Sequence, residues 1–168
     1  SFHRTFVDGY GISDERSVYI GLGFFEILKK KEAPSIGYAR DKWIYLPDEP
    51  VRVKLVGPLG LNSMTMGPNF HMIDLNSLAD PLMTRMPLYQ IDKWRIGHFR
   101  HIIPKGYMET LEVGENLIAD KNIALYYDQL SFVVKGDLWD WQRIVEIWNL
   151  NTGKYDYLLE NITVESAE

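Results

Sequence analysis

No cysteine occurs in the chain, so disulfides, thiolate metal sites and cysteine nucleophiles are excluded together. That absence suits an extracytoplasmic domain as well as a cytosolic one. No run approaches the ~18 to 20 apolar residues that a bilayer-crossing helix requires. Positive charge is also scarce: 18 Lys and Arg stand against 23 Asp and Glu, for a formal net charge of −5. A broad cationic face that would exchange counterions with a phosphate backbone is therefore missing, and nucleic acid is not an expected partner. Neither a G-x-S-x-G nucleophile turn nor a Walker-type phosphate loop is present. We find no internal repeat and no low-complexity segment.

What remains is a chain of 168 residues, 46% of them hydrophobic, which is enough for one domain with a sizeable core. Residues 13–31 begin with a serine N-cap and first-turn acids and end in lysines, so they read as one helix with Val18, Leu22, Phe25 and Leu28 inward. Residues 32–50 are rich in turn formers and read as a loop. The α/β core is expected over 51–160, followed by a polar tail at 161–168. Within that core, VRVKLVG (51–57) and FHMID (70–74) carry strand signals, with a short helix between them. Asp80 before Pro81 pairs an N-cap with a favoured first helical position, so PLMTRM (81–86) is expected to open a helix. A strand, helix, strand, helix order implies parallel pairing. The fold class expected is α/β, a single domain with a small, mostly parallel sheet and short flanking helices.

Further along, residues 95–103 are expected as a strand, YMETLEVGENLI (107–118) and DKNIALYYDQL (120–130) as short helices, and LSFVVKG (130–136) as a strand. DWQRIVEIWNL has apolar residues at 141, 144, 145 and 148, which is helical spacing for an inward face. Trp139 and Trp141 flank Asp140, so a helix starting there can bury at most one of the two rings. TGKYDYLLENI is expected to form a last short helix.

Among chemical signals, a strand, a Gly-Pro-Leu-Gly turn and an acid at the end of a second strand carry the spacing of a nucleotide-binding Rossmann unit. Pro58 removes one backbone N–H from the turn that would cradle a pyrophosphate, and no third glycine follows. Asp74 and Asp80 are candidates for a paired-carboxylate hydrolase, but each also has a structural reading, as strand-end acceptor and helix cap. His98 and His101 lie three apart, which on a strand points them to opposite faces; no metal site is expected. No cofactor is expected either.

Five stretches, SDER (13–16), MGPNFHMIDLNSLADPLMTRMP (66–87), WRIGHFRHIIPKGYMETL (94–111), GENLIADKNIALYYDQL (114–130) and IWNLNTGKYDYL (147–158), run through most of the chain in one order. Together they resemble the soluble C-terminal region of polytopic GT-C type glycosyltransferases, especially the mycobacterial terminal arabinofuranosyltransferase and its bacterial relatives. The most specific motifs are Gly-Pro-x5-Asp-x3-Leu-x-Asp-Pro-Leu and Trp-Arg-Ile-Gly-His-Phe. PLGLNSMTM (58–66) departs from the family pattern, so arabinan specificity does not carry over. The resemblance implies an extracytoplasmic, periplasmic domain attached to a membrane-embedded portion of the same polypeptide. Enzymes of this type use polyprenyl-phosphate sugars as donors, with the base carboxylate in a loop of the membrane part. It further implies that this region has no catalytic residue of its own and helps to hold a cell-envelope glycan acceptor or to shape the cleft. The residues expected at that site are Asn69, His71 and Asp74 at the strand end, with Trp94, Arg95 and His98 as a second wall. The alternative expectation is a free-standing Rossmann-like enzyme that binds a nucleotide.

Overall fold

A computed structural model describes residues 28, 29, 31, 51–57, 59, 63, 69–89 and 99–162. Two strands, β1 (Arg52–Val56) and β2 (Phe70–Asp74), pair in parallel, with Arg52 opposite Phe70 and Val56 opposite Asp74. Alternating β-branched and polar residues favour the pleated backbone, and the pair starts where the sequence signals place it. The Arg52 guanidinium lies 6.0 Å from the centre of the Phe70 ring, so the first cross-strand pair is a cation on an aromatic face. Leu59 and Ser63, between the strands, are helical, and the Ser63 hydroxyl donates to the Leu59 carbonyl at 2.8 Å.

Three helices follow: α1 (Tyr107–Val113), α2 (Lys121–Lys135) and α3 (Trp141–Asn151). Helix α1 packs on β1, α2 packs on α3, and a closing 3-10 turn (Asp156–Leu158) packs on α2. The core joins Ile73 of β2 to Leu82, Met83 and Met86 of the next segment, and to Tyr107 and Ile123 of the helices. The described chain is thus a small mixed α/β domain with a parallel two-stranded sheet and short helices, as its patterning leads one to expect.

Glycine sets both ends of α1. Gly106 (φ 84°) and Gly114 (φ 85°) hold left-handed backbone conformations that side chains rarely adopt. At Gly106 the crowding is independent of φ, since a Cβ there would sit 2.1 Å from the Leu117 carbonyl oxygen. That carbonyl belongs to the segment after α1, which folds back until the Leu117 N–H donates to Thr110 Oγ1 at 2.8 Å. The Gly114 turn also ends α1 at Val113, short of the expected span to 118.

Several expected elements differ, each for a local reason. Residues 130–136 are not a strand: α2 runs on through them to Lys135. Asp120 caps it by accepting from the Asn122 and Ile123 N–H groups, and Ile123, Tyr126, Tyr127 and Leu130 hold one buried stripe. Nothing between Leu130 and Ser131 breaks that periodicity, and β-branched valines cost a helix only a few tenths of a kcal/mol each. The helix expected at 81–86 is a 3-10 turn, Met83–Arg85. Pro87 holds Met86 extended (φ −79°, ψ 156°), because the proline ring disfavours helical geometry in the residue before it. Within 95–103, the described residues 99–103 form no strand; His101 makes an isolated antiparallel bridge to Leu88. The helix expected near the end is reduced to turns and the 3-10 segment Asp156–Leu158. Leu28 is helical but exposed rather than inward.

The apolar stripe of α3 is likewise reversed. Trp141, Ile144, Val145 and Trp148 are exposed, while Arg143, Glu146, Ile147 and Leu150 are half-buried on the opposite side. Arg143 explains part of this. Its Nε donates to the Val133 carbonyl at 2.7 Å, satisfying one of the last carbonyls of α2, where a cation also complements the helix dipole. Neither Trp139 nor Trp141 is buried.

Candidate functional site

The end of β2 is built around two carboxylates. Asp74, the last residue of the strand, is buried and accepts from three backbone N–H groups: Asn76 and Leu78 at 2.9 Å, and Ala79 at 3.3 Å. Its own carbonyl accepts from the Ser77 N–H at 2.8 Å. A short acidic side chain followed by a turn is well suited to this, since the carboxylate substitutes for the strand partners that the chain is leaving. Asp74 therefore makes the turn that leads away from the sheet.

Six residues on, Asp80 is buried and does comparable work. Its Oδ1 accepts from the Leu82 and Met83 N–H groups at 3.0 and 2.9 Å, and the Tyr107 hydroxyl lies 3.0 Å from both carboxylate oxygens. Tyr107 is buried, its ring in edge contact with Tyr127 (centroids 5.7 Å apart, planes at 77°). Burial, then the charge of Asp80 and the bond to it, pushes the phenol far above its ordinary pKa. It stays a donor at any physiological pH. Tyr107 did not stand out in the sequence; an aromatic just after a Pro-Lys-Gly turn carries no hint of a partner in Asp80.

Between the two acids lies Ser77, in a left-handed conformation (φ 55°) with its hydroxyl buried and unpartnered. Both features cost free energy, and the cage around Asp74 holds the residue there.

The outer wall of this corner is more open. His71 is exposed on β2, opposite Val53. Partial desolvation by its surroundings holds its imidazole below the ordinary value, with the Asp80 carboxylate pulling the other way and the Lys135 ammonium reinforcing the depression. At neutral pH the ring is uncharged, one nitrogen a donor and the other an acceptor. Asn69, expected at the same strand end, instead precedes β2 at the end away from Asp74; it is half-buried and its carbonyl accepts from the Arg52 N–H at 2.9 Å. Trp94, Arg95 and His98 lie outside the described residues. The segments that flank them are joined: Tyr89 N–H donates to the Arg100 carbonyl at 2.7 Å and Ile102 N–H to the Pro87 carbonyl at 2.9 Å. His101 Nδ1 contacts the Met86 carbonyl. Residues 86–89 and 100–102 thus meet along one seam.

Chemically, the arrangement has a rigid inner layer and a polar outer one. Asp74 and Asp80 give their oxygens to backbone N–H groups and a phenol, whereas acid–base hydrolysis needs two carboxyl groups facing one bond. Among the described residues no cluster of three or more His, Asp or Glu is arranged to hold a metal ion. No helix among them is long and apolar enough to cross a membrane. Comparison with family models, with curated proteins and with solved structures returns no match.

Proposed function

We propose that this chain is the extracytoplasmic accessory domain of a GT-C type membrane glycosyltransferase, without catalytic residues of its own, and that it presents the β2 edge to a cell-envelope glycan acceptor. The order of motifs along the chain motivates the family. The observation that carries the non-catalytic part is the commitment of Asp74 and Asp80 to holding the turn at 74–83. Carboxylate oxygens already occupied by N–H donors are not free to face a reacting bond. The membrane-embedded part of the polypeptide supplies the donor site for a polyprenyl-phosphate sugar and the reacting carboxylate. On the outer face, neutral His71 offers a donor and an acceptor of the kind sugar hydroxyls need, and Asn69, Trp94, Arg95 and His98 are assigned to the acceptor from the sequence resemblance.

The Rossmann alternative loses its main motive in the same geometry. A ribose diol would have to compete with the Asn76, Leu78 and Ala79 N–H groups for the Asp74 carboxylate.

The test is a titration of the isolated chain with neutral oligosaccharides at millimolar concentration, followed by amide NMR. Weak binding is expected because one shallow contact gains little against the entropy cost of association. Shifts at Asn69 and His71, with no turnover of any polyprenyl-phosphate sugar, support the reading. Unaided sugar transfer, or micromolar nucleotide binding that depends on Asp74, overturns it.

A further inference from the structure

We draw no further inference here: the strongest candidate, the exposed apolar face of α3 together with Trp139 in the turn before it, carries none because nothing in the structure shows what covers it.

Discussion

Tyr107→Phe removes one hydroxyl from a buried carboxylate and leaves the edge contact with Tyr127 in place. A hydrogen bond to a charged acceptor contributes about 1.5–3 kcal/mol, and Asp80 has only two backbone N–H groups to fall back on. For a chain of this length that corresponds to a fall in Tm of about 4–8 °C. Asp80→Ala removes the same bond, deletes the cap on Leu82 and Met83, and strands the phenol in the core; about 3–5 kcal/mol is expected. The two changes share one interaction, so their sum overcounts it. A double-mutant cycle by urea denaturation should return a coupling of about 1.5–2 kcal/mol, with unchanged m values. Additivity to within about 0.3 kcal/mol would show that the two groups do not sense each other, and the argument that Asp80 is a structural pin would fall.

Ser77→Gly is expected to stabilise the protein by about 1–4 kcal/mol. It relieves a left-handed residue (about 1–2 kcal/mol) and an orphaned buried hydroxyl (about 1–3), against about 0.5–1 for the added freedom of the unfolded chain. Chemical denaturation checks it, and destabilisation would mean the hydroxyl has a partner. Tyr155→Phe should flatten the acid side of the stability profile. The Tyr155 hydroxyl, helped by Asn149, holds Glu146 below the usual carboxylate range, opposed by desolvation. A depressed carboxyl adds stability that is fully present above its unfolded value of about 4.3 and is lost as pH falls through the lower folded value. Urea midpoints from about pH 6 to about pH 3 test it; equal slopes for parent and variant would refute it.

How legible the fold was depended on which physical effect ruled each segment. The strands were readable because Val53 and Val56 in the first and Phe70 and Ile73 in the second are strand formers in short runs with turn formers close by. Helix α3 was readable from its spacing and the Asp140 cap, but its orientation was not. Periodicity identifies an apolar stripe; only the tertiary partners decide where it points, and here Arg143, which caps α2, goes inward with Glu146, Ile147 and Leu150. The end of α2 was misread because Phe132, Val133 and Val134 have a strand composition, while an unbroken helical phase from Ile123 decides the outcome. In the corner, both structural readings of the acids were available: a carboxylate before a turn and an Asp-Pro pair. The bond between Asp80 and Tyr107 was not, since it joins residues brought together only by the packed core. Trp94, Arg95 and His98 lie outside the described residues, and their part in the corner rests on the sequence resemblance.

The caged turn after β2 has a kinetic corollary. Every donor that Asp74 collects lies within five residues of it, so the turn closes on the timescale of short-loop formation, tens of nanoseconds, with little chain entropy to overcome. The β1 and β2 rungs must wait for a much longer excursion to return.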